Sequence, residues 1–346
     1  MLVSEYRKAN KASRTNNLPI LWGIIGAVTI ALSLVGCRTF TGLQQSEENS
    51  FTIVLMPDTQ NYTNSSFGGK PQYFFDQTEW IKKNKKKYNI VMVAHAGDIV
   101  QNPEEISEWE VADNAFKTID QEVPYILCLG NHDITDDQGS KPEARDSLIN
   151  KYFPPRRFTD NPVYSDSFGA DPVTHFMEPG KSDNYYLYFR GAGTQFLIMA
   201  LEFKPRNETL TWAGQVIEAH PDHRCVVLTH GYLNTNGSRG MGHYAIPGNQ
   251  PEDIWETFIS QHPTLFLVLC GHALGETVMT STGKSGNKVQ QILADYQNDY
   301  IGHGGHGYLR IMTFHPAKKE IVNQTYSPSL NAYLTRPKSQ FTLEYE

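Results

Sequence analysis

The sequence predicts an α/β protein, an α+β sandwich in which two sheets pack together between helices. Three observations carry that prediction. Several short apolar runs end abruptly in glycine or a polar residue, as strands covered on both faces do. Helical stripes separate the early runs. From about residue 277 the pattern changes to alternating strands without helices.

In chain order the apolar runs are 51–56 (FTIVLM), 90–94 (IVMVA), 125–129 (YILCL), 196–201 (FLIMAL), 225–229 (CVVLT) and 265–269 (LFLVL). Between the first two, residues 71–88 carry Phe74, Trp80, Ile81 and Tyr88 and end in lysines, which a helix C-terminus favours. Residues 103–119 place Ile106, Trp109, Ala112, Phe116 and Ile119 on one stripe, with Asn102 as N-cap and Pro103 at the first helical position. Residues 208–219 align Leu210, Ala213, Val216 and Ile217 behind an Asn207 cap. The late strands are TVMTS, NKVQQILA, GYLRIMTF and EIVNQTY. Residues 138–184 are irregular and rich in Pro, Asp, Gly and Ser. They read as an insertion over one edge of the domain, either a substrate cover or a surface excursion.

The N-terminus is set apart from the fold. Four basic residues precede an uncharged run from Leu18 to Gly36, long enough to span a bilayer. The run closes on LVGC, which resembles a lipoprotein signal with Cys37 as the lipidated residue. An uncleaved anchor helix is the alternative. Either way the body lies outside the cytoplasmic membrane of a bacterium, because the basic flank stays inside. Arg38 follows Cys37 where inner-membrane lipoproteins often carry Asp, so in a cell with two membranes the outer one is expected. Residues 37–50 form a polar tether, 51–336 the folded domain and 337–346 a C-terminal tail. The formal charge is −7, and without residues 1–36 about −10. That acidity argues against extended nucleic-acid binding, which needs clustered Lys and Arg. Cys128, Cys225 and Cys270 sit inside apolar runs and read as buried packing residues.

The polar residues at the run ends carry the chemistry. Asp58 and Gln60 follow the first run, Asp98 the second, and Asn131, His132 and Asp133 the third. His230 and His272 follow the runs at 225–229 and 265–269. Sites in open α/β sheets gather beyond the carboxyl ends of strands. Carboxylate, amide oxygen and imidazole suit Zn, Mn, Fe, Ni or Mg. One aspartate can bridge two cations roughly 3.5–4 Å apart, which supplies hydroxide near neutral pH and clamps phosphoryl oxygens.

These motifs, DTQ at 58–60, GDIV at 97–100, GNHD at 130–133, TH at 229–230 and GHAL at 271–274, resemble those of calcineurin-like metallophosphoesterases. The resemblance covers roughly residues 51–326. It implies a four-layer αββα fold, two divalent cations, and hydrolysis of a small phosphate mono- or diester by a metal-bound hydroxide. Carried over by position, Asp98 bridges the metals, while Asn131, His230 and His272 complete the second site. Asn131 also faces substrate, His132 contacts phosphate and protonates the leaving oxygen, and Asp133 orients its imidazole. The first site departs from the family twice. Gln60 stands where histidine is usual, and Leu274 where GHxH ends in histidine. Asp58, Gln60 and Asp98 remain there, with water or a ligand from elsewhere. Weaker binding, or preference for a harder ion such as Mg or Mn, follows.

Other residues stay open. Arg206 is read either as a phosphate clamp or as a helix-start surface charge, with Glu202 beside it. His95 either supports the site or packs in the core. Tyr296, Gln297 and Asn234 read as structural, and GHGGHGY at 302–308 as a solvated turn. A second reading of the whole is a lipid-anchored binding or scaffold protein that keeps one structural metal.

Overall fold

The computed structural model describes residues 50–134, 145, 147–165, 174–298 and 304–345. The expectations for Cys37 and the leader lie outside the described residues. Among those described, no helix is long and apolar enough to cross a membrane.

Among the described residues, fourteen strands build two mixed sheets: β1 Phe51–Met56, β2 Ile90–His95, β3 Tyr125–Leu127, β4 Thr174–Phe176, β5 Tyr185–Gly191, β6 Thr194–Ala200, β7 Arg224–Gly231, β8 Leu265–Gly271, β9 Gly275–Thr282, β10 Lys288–Asp295, β11 Leu309–His315, β12 Glu320–Ser327, β13 Ala332–Leu334 and β14 Gln340–Glu344. The first sheet runs β13-β12-β11-β1-β2-β3, with β14 also on β12. The second runs β4-β5-β6-β7-β8-β10-β9. Each has a parallel centre, β1-β2-β3 and β6-β7-β8-β10, extended by antiparallel strands. The early and late parts of the chain interleave, with β11 beside β1 and β10 beside β8.

The six apolar runs became the parallel centres because they are covered on both faces. In β6, Phe196, Ile198 and Ala200 point into the core between the sheets. Leu197 and Met199 point instead to the helices Asn207–Ala219 and Pro251–Thr257. On the first sheet, His95 of β2 lies against Phe74 and Phe116 of the helices Pro71–Asn84 and Ile106–Lys117. The order is therefore helix, sheet, sheet, helix. Phe51 stacks on Phe314 at 4.7 Å and meets Phe196 at 5.1 Å across the sandwich. Truncating so large a buried ring costs about 3–5 kcal/mol. A buried ion pair also crosses the sandwich. Arg310 of β11 donates to Glu276 of β9 at 3.0 Å and to the Tyr296 hydroxyl at 2.8 Å, so the buried charge is matched.

Four expectations are corrected. Residues 337–346 are not a loose tail, because β14 pairs with β12 from Glu320↔Glu344 to Gln324↔Gln340. Asn102 does not cap the second long helix, which begins at Ile106. The Glu108 carboxylate instead accepts from the Gln101 and Asn102 amides, at 2.7 and 2.9 Å. Ile106 of the proposed stripe is accordingly exposed, while Trp109, Ala112 and Phe116 are buried. Asn207 is the first residue of its helix and Arg206 the N-cap. Within 138–184, the described residues 147–165 are anchored in the core. Phe153 and Phe158 are buried, and Arg157 pairs with Asp113 and Asp120. Tyr164 satisfies the open edge of β3, accepting from the Tyr125 amide and donating to its carbonyl.

Candidate metal centre

The carboxyl ends of β1, β2, β7, β8 and β10 meet at one rim of the sandwich. Asp98 stands at its centre, buried, with φ at +49°. A non-glycine residue in the left-handed region persists only where its surroundings enforce it. One Asp98 oxygen, Oδ1, accepts from the His132 amide at 2.9 Å. The other, Oδ2, accepts from the Gln60 amide nitrogen at 3.0 Å and lies 3.2 Å from His230 Nε2. The carboxylate sits so close to Gly130 that any Cβ there would collide with it.

The two histidines present defined nitrogens. His230 donates from Nδ1 to the Ala96 carbonyl at 2.7 Å, which turns Nε2 toward Asp98. His272 uses Nε2 toward the Met241 carbonyl at 3.0 Å, which turns Nδ1 to within 3.3 Å of His230 Nε2. A carbonyl on the far nitrogen is how metal-bound imidazoles are held. Ligand atoms of Asp98, His230 and His272 all lie within 4.8 Å of one another. His272 also has φ at +74°. That bend aims its amide at Asp58, which accepts it at 3.1 and 3.3 Å. Gly271 leaves the space in which the Asp58 carboxylate lies.

Whether these residues fit cations is decided by their unsatisfied atoms. Gln60 Oε1 and Asn131 Oδ1 are buried acceptors without a hydrogen-bond partner. Such atoms are costly unless something fills them. The motif pattern assigns Gln60 to the set with Asp58 and Asp98, and Asn131 to the set with Asp98, His230 and His272, of which the last three converge. Both expected donor sets therefore fit a hard or borderline divalent cation, which the residues Asp58, Gln60, Asp98, Asn131, His230 and His272 would hold.

Electrostatics agree. Among the described residues, the one ion-pair contact of Asp58, Asp98 and Asp133 is that between Asp98 and His230. Burial would raise Asp98, but His230, His132 and His272 override it and hold the carboxyl below its usual range. Burial, then the charge of Asp295, pushes Asp58 well up. His230 is raised to about 10: burial works against the charge, and Asp98 and Asp58 outweigh it. Burial and His230 lower His272 to about 4.

Two sequence-derived roles change. Asp133 does not touch the His132 ring. Its oxygens accept from the Ile99, Val100 and Gly130 amides at 2.7, 3.0 and 2.8 Å, so it bolts together the turns after β2 and β3. The half-buried His132 ring is held by Gln101, whose carbonyl lies 3.1 Å and amide nitrogen 3.0 Å from Nδ1. Arg206 is not free for phosphate, since its guanidinium meets Glu202, Glu208 and Glu178. His95 is a supporting residue. Burial lowers it to about 3. Its Nδ1 accepts from Gly97, and its Nε2 lies 3.0 Å from the Thr59 hydroxyl, between Asp58 and Gln60. Tyr296 belongs to the Arg310 network, and Gln297 bonds Asp295. The residue that sequence reasoning passed over is Asp295. Its signal was present, an acid closing the run KVQQILA, but no glycine marked the turn.

The rim therefore defines a metal-binding centre at the strand ends of an αββα sandwich. Residues 51–276 match the calcineurin-like phosphoesterase family, and the chain belongs to it. It is 32% identical over 289 residues to the YvnB protein of Bacillus subtilis (strain 168), a match covering 81% of this chain. The chain spans about one fifth of that relative's length (20%). The fold is similar to that of purple acid phosphatase PPD1 from yellow lupin (Lupinus luteus) seeds. The TM-score is 0.50 at 12% identity, over 85% of this chain and 54% of that one. A dimetal phosphatase from Danio rerio aligns with TM-score 0.49 at 13% identity, over 86% and 99% of the two chains.

Proposed function

We propose that this chain hydrolyses phosphate mono- or diesters outside the cytoplasmic membrane of a bacterium, tethered there through its N-terminus. The observation that supports the reaction is the meeting of Asp98, His230 and His272 within 4.8 Å, with the buried amide oxygens of Gln60 and Asn131 left open beside them. A bound divalent pair lowers the pKa of water and offsets charge on phosphoryl oxygens. The chain's own residues supply placement. Asp98 Oδ2 lies against both Gln60 and His230, so this one oxygen can serve both positions. Asn131 stands where it can meet both a cation and a phosphoryl oxygen. His132 is half-buried at the rim and fixed at Nδ1, which leaves Nε2 to give a proton to the departing alkoxide. The Asp133 bonds keep His132 and Asp98 in register. The leader of residues 1–36, with Cys37, supports the location.

The test is a panel of phosphate esters crossed with Mn, Mg, Zn, Fe, Ni and Co, with bound metal counted alongside. His132→Ala is expected to cut turnover of an aryl phosphate by about two orders of magnitude at unchanged metal content. Metal-loaded wild type that turns over no ester would favour a binding or scaffold role instead. Labelling of expressing cells with a radioactive fatty acid tests the tether, with label expected on the wild type and absent from Cys37→Ala.

A further inference from the structure

We propose that Asp295 is a protein ligand of the first metal position, delivered by β10 in place of the histidine that the motif lacks at Leu274. The inference rests on the metal-dependent reading above and deepens it.

Strand register brings Asp295 to the place. On β9 it lies opposite Gly275, the residue after Leu274. On the other side, Leu293 pairs in parallel with Cys270 of β8, so Asp295 leaves its strand at the level of His272. Leu274 and Asp295 line the same cleft, of about 560 Å³. A carboxylate thus stands near Leu274, and because the lining of that cleft includes neither Asp58, Gln60 nor Asp98, strand register and the turn that follows are what tie it to the first position. The turn after it is fixed to the first site. Gln297 donates its backbone N–H to Asp295 Oδ1 at 2.8 Å and its side-chain N–H to Oδ2 at 2.9 Å. The Gln297 carbonyl in turn accepts from the side chain of Asn61, the neighbour of Gln60, at 2.9 Å.

The charge pattern also asks for a cation. Asp295 is fully buried, and among the described residues it forms no ion pair with Lys or Arg. An acidic cluster alone proves nothing, but Gln60, whose Nε2 donates to Asp98, keeps a buried Oε1 without a partner. With Asp295 the first position would draw on oxygens alone, those of Asp58, Gln60, Asp98 and Asp295, and the cation would have to gather them, since among the described residues the acidic and imidazole ligands that already lie within 4.8 Å of one another are Asp98, His230 and His272. Oxygen-only sets suit Mg or Mn, whereas the imidazoles of the second position suit Zn, Fe or Ni.

The experiment is a Mn²⁺ titration by calorimetry, with metal counted by mass spectrometry and the Mn pair followed by electron paramagnetic resonance. Wild type is expected to take up two ions and show an exchange-coupled signal. In Asp295→Asn the tighter ion is expected to remain. The second weakens by about tenfold or more, at or beyond the effect of losing a ligand's supporting partner, and the coupled signal disappears. A purely turn-forming Asp295 would lower the melting temperature and leave two ions at unchanged affinity, which would overturn the inference while leaving the phosphoesterase reading intact. Wild type that binds a single ion overturns it too, and wild type that binds none overturns both. If Asp295→Asn does not fold, Asp295→Glu decides. It keeps the charge and moves the oxygens by one methylene, so unchanged affinity for the second ion would sink the proposal.

Discussion

The two halves of the centre are built differently from the same bridging aspartate. The second half is compact. Asp98, His230 and His272 converge within 4.8 Å, and each imidazole is oriented by a backbone carbonyl. Among the described residues the first half is assigned no imidazole. Asp58 hangs from the His272 amide, Gln60 from Asp98, and Asp295 from Gln297. The difference is one of donor chemistry and of rigidity. Histidines carry a directional lone pair fixed by the far ring nitrogen, so a site made of them is preformed. Carboxylates and an amide carry no such ring and are held here through the His272, Asp98 and Gln297 bonds, so their oxygens are the less directional donors. One centre can in this way hold a tight borderline metal beside an exchangeable hard one.

The comparison breaks most completely at the shared residue. Asp98→Ala should empty both halves and lower turnover by about three orders of magnitude or more, since both metal roles go at once; metal counting and ester kinetics check it. Gly271→Ala should separate the halves. Its methyl displaces the Asp58 carboxylate, so the second-half metal stays while the other is lost, with a melting temperature lower by about 2–4 °C per kcal/mol of strain. Titration by pH sharpens the contrast further. With His230 raised to about 10, its extra stabilisation is complete below the ordinary imidazole value and is lost as pH rises through about 10. A cation must displace that proton from Nε2. Affinity of the tight ion should therefore rise about tenfold per pH unit from near 7 to 9, with one proton released per ion, read from calorimetry in buffers of different ionisation enthalpy. Gln60→His returns an imidazole to the first half and should tighten the weaker ion severalfold, roughly tenfold at most given the unchanged carboxylates, seen in the same titrations. Arg206→Ala should do least. Its guanidinium is occupied by glutamates, so ester turnover should hold within about twofold and stability change by less than about 1 kcal/mol by thermal melts.

Much of this was legible without coordinates. The run 51–56 is β1 to the residue, and Leu210, Ala213, Val216 and Ile217 do face the second sheet. Gln60, Asp98, Asn131, His230 and His272 could be singled out because each follows an apolar run and most sit beside a glycine. The errors share a cause. Asp133, Arg206 and Asn102 were assigned roles from the motif pattern, whereas their actual partners, near in the chain for Asn102 and mostly so for Arg206 and distant for Asp133, are set by how the turns fold. Asp133 serves the turn of residues 97–100, more than thirty positions away in the chain. Arg206 is taken up by glutamates on either side of it.

The sequence by itself determined the alternation of strands and helices, the donors at the strand ends and the two departures at Gln60 and Leu274, because periodicity and residue chemistry are local properties. Only the tertiary structure decided that late strands pair alongside early ones, that residues 340–344 join the first sheet, and that Asp295 stands opposite Gly275, the residue after Leu274. Strand order and register are settled by which faces can be buried together across the whole chain, and no single stretch of residues carries that information.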